Sequence, residues 1–295
     1  MELPRIAKST SYLILIPYYD PNYSTQGRRL LYVHSVAAGT GIPALPGTIV
    51  IDLDNETVLG LIKDKYVLDI APDGHEFYIT DRAAISTASH TQVRTLPFSV
   101  AIPGNGFLVS LDGTRLYAEY QRLDGASNTR LANLPVSIVS GGSYWGTTVR
   151  GGPAISADGK RIYIGRNVQV IDTEANTAAT TPISSQFFSD MTLSPDEQQL
   201  LISEYSNEVG RLNFFDATTF ASLASVSNIG DYAGEIAFSA DGQRAVVGSA
   251  GNPYKANGHV NVVDLVSDLK IGARCLFSCL VVNKVHGDFS IIRGE

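Results

Sequence analysis

Two cysteines, two methionines and a single tryptophan are all that 295 residues contain of those types. Cys275 and Cys279 stand four apart, which along one strand separates them by roughly 13 Å, beyond disulfide reach. No histidine lies near them at ligand spacing, so they define no zinc site, and no Cys-x-x-Cys-His sequence occurs to attach a c-type haem. They read as small buried hydrophobes. Lys and Arg nowhere cluster, and the net charge is −7, so the basic footprint of a nucleic-acid binder is missing. No apolar run approaches the eighteen or so residues that cross a bilayer. The best, YLILIP at residues 12–17, has the length of a strand. The first ten residues read as no secretory leader, because Glu2 dilutes their basic charge and the apolar run is short. His34, His75, His90, His259 and His286 are scattered, without the pairings of a metal site. No nucleophile elbow, phosphate-binding loop or dinucleotide fingerprint is present.

Abundant apolar residues (44%) with few charged ones (17%) specify a packed core. The pattern that organises it is a repeat. AISADGKRIYIG at residues 154–165 returns as AFSADGQRAVVG later in the chain and as DIAPDGHEFYIT earlier. Aligned on the turn position, the copies fall at Gly27, Gly74, Gly113, Gly159, Glu197 and Gly242, with steps of 47, 39, 46, 38 and 45. Glu197 stands where the others have glycine, and positive φ is costly for it, which predicts a change of turn type there.

Apolar residues alternate on both arms of each turn, for example Leu68/Ile70 before Gly74 and Phe77/Ile79 after it. Period two on both sides is the pattern of a hairpin. The residue four after the turn is also apolar (Tyr78, Tyr117, Tyr163, Leu201, Val246), so the second arm is expected to be buried on both faces. A third strand ends in Asp in four copies, at Asp52, Asp172, Asp216 and Asp264, where an Asx turn would take the carboxylate. The second and third copies lack that signature in the segments HTQVRTLPFSV and TRLANLPVSIV. A fourth strand follows, as in AATTPI and ASLASV.

Four strands per repeat and no helical period describe the blade of an all-β propeller. The whole of 1–295 reads as one domain of four-stranded antiparallel blades. Dividing the length by seven gives about 42 residues a blade, which prefers seven blades to six. The last would be shared between the tail after Ile271 and the segment SYLILIPY, so that N- and C-terminal strands close the ring. The phrases ISADGKRIYIG and VQVIDTEANT resemble the repeat of YVTN-type propellers, the group of surface-layer and quinoprotein amine dehydrogenase β-chain-like proteins. The resemblance implies the propeller fold, an extracytoplasmic setting and a place in larger assemblies.

Two candidate sites follow from the repeat. Seven residues before the turn stand Asp20, Val67, Gly106, Gly152, Asp190 and Glu235, one tier expected around the central channel. Converging carboxylates repel unless a cation offsets them, so Asp20, Asp190 and Glu235 are candidates for a divalent cation such as calcium or a charged ligand group. The alternative is that each acid caps a local turn or faces solvent. The second candidate is the glycine-rich connection SGGSYWGTTVRGG, with Tyr144, Trp145 and Arg150 as a rim recognition surface. Together they suggest a monomeric, non-enzymatic scaffold for a protein partner or small ligand. The alternatives are a metal-assisted hydrolase or lyase using the channel carboxylates, or a subunit of a redox assembly.

Overall fold

A computed structural model describes residues 15–19, 29–35, 47–52, 57–63, 65, 67–98, 107–138, 141–144, 147–150, 152–185, 187–206, 209–230, 233–238, 242–249, 259–265 and 269–275. Among them are six four-stranded antiparallel sheets and one two-stranded hairpin, each strand paired with the next in sequence. Blade 1 runs from Leu15–Tyr19 to Thr57–Lys63 and blade 2 from Val67–Ile70 to Gln92–Thr95. Blade 3 runs from Phe107–Val109 to Arg130–Asn133 and blade 4 from Ala154–Ile155 to Thr177–Ser184. Blade 5 runs from Phe188–Leu193 to Ser222–Ser227 and blade 6 from Ala233–Phe238 to Leu269–Cys275. The six sheets correspond one to one with the six repeats.

The second strand of each blade explains why the repeat alternates as it does. In blade 4, Ile162 and Ile164 join Tyr117 of blade 3 in one core, while Tyr163 between them joins Met191 and Leu200 of blade 5 in the next. Leu116 and Ala118 likewise face blade 2, and Leu201 faces blade 6. Successive side chains point to opposite faces of a strand, so the second strands of blades 2 to 5 are each sandwiched between two neighbouring sheets. Tyr78, Tyr117, Tyr163, Leu201 and Val246 are all buried, as the sequence predicts. Burying a side chain of this size stabilises by about 1.5–3 kcal/mol.

Three of the turns share one construction. Ser110 Oγ donates to Asp112 Oδ1 at 2.6 Å and accepts from the Arg115 N–H at 2.9 Å, while Asp112 Oδ1 accepts from the Thr114 N–H. Ser156 with Asp158 and Ser194 with Asp196 repeat the geometry. The next residue closes the turn with φ of 69° at Gly113 and 68° at Gly159. Glu197 keeps this conformation, with φ 57°, so the turn type does not change. Its carboxylate accepts from the Ala157 N–H of blade 4 and lies 4.0 Å from Arg161. A bond to the neighbouring blade thus stands against the strain.

Third strands end on Asp as the sequence predicts. Asp172 Oδ1 accepts from the Glu174 and Ala175 N–H groups, and Asp216 Oδ1 from those of Thr218 and Thr219. The second and third copies have the same device in an unexpected place. Their third strands are the four-residue segments Ala83–Ser86 and Gln121–Asp124. Ser86 Oγ accepts from the Ala88 N–H, and Asp124 Oδ1 from the Ser127 N–H. The segments read as third strands from sequence are the outermost strands.

Blade 1 differs from expectation too. Leu15–Tyr19 pairs with Arg29–Ser35, Leu15 opposite Val33, so the segment assigned to a shared closing blade is the first strand of blade 1. Leu269–Cys275, assigned in large part to the tail, is the outermost strand of blade 6. Cys275 ends that strand, and Cys279 lies outside the described residues. No helix among the described residues is long and apolar enough to cross a membrane.

Candidate functional site

Of the expected channel tier, the structure describes one carboxylate in full. Asp190 lies on the first strand of blade 5, where a β-bulge between Phe188 and Asp190 shifts the register against Glu204 and Ser203. A bulge of this kind re-aims a side chain. Asp190 is 1% exposed, and its Oδ2 accepts from the Ile236 N–H of blade 6 at 3.1 Å. A Cβ added to Gly152, the tier residue preceding blade 4, would stand 3.3 Å from Asp190 Oδ1. One carboxylate is therefore bonded to the first strand of blade 6 and leaves little room for a side chain at Gly152 ahead of blade 4. Ser203 beside it donates to the Gly234 carbonyl oxygen at 2.6 Å. Buried carboxylates persist where hydrogen bonds favour their charged form.

Glu235 sits on the first strand of blade 6, which bulges between Ala233 and Ile236; its backbone lies one residue from the Ile236 N–H that Asp190 holds. Asp20 and the side chain of Glu235 lie outside the described residues. Among the described residues no group of three His, Cys, Asp or Glu side chains is gathered as a metal site would need.

The second candidate forms a hairpin. Gly141–Tyr144 pairs with Thr147–Arg150, Tyr144 opposite Thr147 and Gly141 opposite Arg150. This two-stranded element is inserted between blades 3 and 4 and belongs to neither sheet. Its second strand leads into the first strand of blade 4 and lies beside Phe188–Leu193, the strand that carries Asp190. Trp145 lies outside the described residues, as do the side chains of Tyr144 and Arg150.

A third feature was not legible in the sequence. Between blades 2 and 3 lies a cleft of about 730 Å³. Arg94 on the outermost strand of blade 2 bridges it, donating to Glu76 through Nε at 3.1 Å and through Nη2. Its Nη1 donates across to the carbonyl oxygens of Gly125 and Ala126 and to Asn128 Oδ1 in blade 3. Tyr78 donates to Glu76 Oε1 at 3.0 Å. Burial and the adjacent Glu76 carboxylate push the Tyr78 hydroxyl far above the usual phenol range, so it stays protonated. The pattern that would have revealed this network, an Arg on one outer strand and a Glu on an inner one 18 residues earlier, has no local periodicity.

No family model matches the chain, and no curated protein matches it in sequence. Solved structures do. The β-propeller domain of Cps50 (Swd1) from Myceliophteria thermophila is 12% identical, with a TM-score of 0.57 over 89% of this chain and 87% of that one. Hydrazine synthase from Kuenenia stuttgartiensis is 15% identical, with a TM-score of 0.51 over 70% of this chain and 64% of that one. The chain thus spans less than two thirds of that second protein. At such identities the likeness is one of fold alone: the chain is an all-β propeller with antiparallel four-stranded blades.

Proposed function

We propose that this propeller is a non-catalytic binding scaffold whose recognition surface is the hairpin carrying Tyr144, Trp145 and Arg150, over the channel end held by Asp190. The supporting observation is that this hairpin interrupts an otherwise regular succession of four-stranded sheets. The repeated polar residues, by contrast, are engaged in turns and blade contacts. In a repeat fold, additions on one face are where recognition is placed. The ligand is a protein segment or small molecule with a face for aromatic stacking and a group for the guanidinium.

The chain has a single tryptophan, so its emission reports this hairpin and nothing else. Titration with a panel of defined peptides and sugars is expected to change Trp145 emission saturably, with the change lost in Arg150→Ala. Saturable binding that leaves the emission untouched would move the site elsewhere.

The burial of Asp190 carries a second reading, in which the tier of Asp20, Asp190 and Glu235 takes a divalent cation such as calcium. Binding to the folded state alone would raise the melting temperature with cation concentration, and Asp190→Asn would abolish that rise. A melting temperature indifferent to calcium leaves Asp190 as a brace between blades. The YVTN assignment of the repeat, an extracytoplasmic setting, and seven blades with the ring closed by the N- and C-terminal strands belong to the same proposal. The likeness to hydrazine synthase supplies no residue for a redox role.

A further inference from the structure

The boundary between blades 2 and 3 departs from the repeat in a way that leaves a recess. Where blades 3 and 4 meet, the Tyr117 hydroxyl donates across to the Gly159 carbonyl oxygen at 2.9 Å, and Thr173 Oγ1 donates to the same oxygen. Where blades 2 and 3 meet, Tyr78 turns instead to Glu76 and Arg94. Blade 3 also has Gly125 where blades 2 and 4 have Thr87 and Thr173. A Cβ on Gly125 would fall 2.0 Å from the Gly113 carbonyl oxygen, so no side chain fits there. The turns are looser as well: the nearest neighbour to a Cβ on Gly113 is Pro72 at 3.8 Å, against Ser110 at 3.2 Å for Gly159.

The recess is walled by large aliphatic side chains left in solvent, Val93 of blade 2 at 55% and Leu111 of blade 3 at 51% exposure. Asp73 and Asp112 line it, both exposed. Its one arginine, Arg94, is held bidentately by Glu76, so Asp73 and Asp112 leave the lining net negative, with Arg115 just outside the lining drawing on Asp112. Ser110 and the Thr114 N–H hold the Asp112 carboxyl below the usual carboxylate range. Exposed apolar side chains and acids in one lining complement a cation flanked by aliphatic groups, and the volume suits a ligand of several side chains.

We infer that this cleft docks an extended segment of a partner protein presenting a lysine or arginine between aliphatic residues. It is a second surface, independent of the Trp145 hairpin. The test is amide NMR of the full chain titrated with three probes: Ac-Ala-Leu-Lys-Leu-Ala-NH2, its Glu-for-Lys counterpart, and n-butylamine. The lysine peptide is expected to shift the amides of Val93, Leu111 and Ala126 saturably, with the other two probes binding about fivefold more weakly or less, the worth of one exposed charge pair. Asp73→Asn and Val93→Lys, both at exposed positions, should each weaken the peptide by a similar factor, and Glu174→Gln on blade 4 should not. Equal binding of the glutamate peptide, equal binding of butylamine, or shifts confined to other blades would overturn the inference. Trp145 emission is read in the same titration; a change there without amide shifts at the cleft would count against this inference and for the hairpin.

Discussion

The hydroxyl of Tyr117 donates to the carbonyl oxygen of Gly159 at 2.9 Å, one repeat further along the chain. A side chain of one second strand thereby ties the turn of the next blade, inside a core from which water is excluded. Burial raises the Tyr117 hydroxyl above its ordinary value, which keeps the donor protonated at any physiological pH. Tyr117→Phe removes the donor but leaves the Gly159 oxygen with Thr173 Oγ1. The expected loss is about 1 kcal/mol, read as a lower urea midpoint with an unchanged slope. A loss of 3 kcal/mol or more, well outside that range, would mean the ring packs differently.

Glu197 combines a left-handed backbone with a bond to blade 4. Glu197→Ala keeps the strain of a positive φ and removes the bond, whereas Glu197→Gly relieves the strain and removes the bond. Glycine tolerates this φ at about 1 kcal/mol less than a residue with a Cβ. The glycine variant is therefore expected to be the more stable of the two by that amount, measured by chemical denaturation.

Gly113 and Gly159 have nearly the same φ, 69° and 68°, but different room. A methyl group at Gly159 would press on Ser110 Cβ at 3.2 Å, while at Gly113 the nearest atom is 3.8 Å away. Both alanine variants carry the cost of positive φ, about 1 kcal/mol. Gly159→Ala should be the more destabilised of the pair, and paired thermal melts read the difference.

Asp112, Asp158 and Asp196 all lie below the usual carboxylate range, first because a serine hydroxyl donates to each. A depressed carboxyl pKa in the folded state contributes stability above the unfolded value, near ~3.9, that is lost as pH falls through it toward the folded one. Replacing Ser110, Ser156 and Ser194 by alanine should raise the three titration midpoints, seen by carbon NMR of the carboxyl groups. The triple variant should also lose less stability than wild type between neutral pH and pH 3.

What the sequence made legible was whatever recurs with short period. The second strands were readable because both of their faces are apolar, and Tyr163 between Ile162 and Ile164 announces that burial. The third strands ending at Asp172 and Asp216 were readable because six to eight residues precede the turn. Those ending at Ser86 and Asp124 were missed because each strand has only four residues, and in one of them serine does the work of aspartate. The first strand of blade 1 was misplaced because the turn phrase at Gly27 lies eight residues beyond Tyr19. Asp190 is legible by its place seven residues before the turn, whereas the bulge that aims it at the Ile236 N–H leaves no mark on an alternating pattern. The clasp of Arg94 on Glu76 and blade 3 depends on side chains brought together only by the packing of sheets.

The central claim is that the second strands of blades 2 to 5 are each sandwiched between neighbouring blades. Native-state hydrogen exchange measures it most directly. The amides of Tyr117, Tyr163 and Leu201 are predicted to exchange only through global unfolding, while those of the outermost strands Arg130–Asn133 and Ser222–Ser227 exchange through smaller local openings. Outermost strands protected as strongly as the second strands, or more so, would contradict the account.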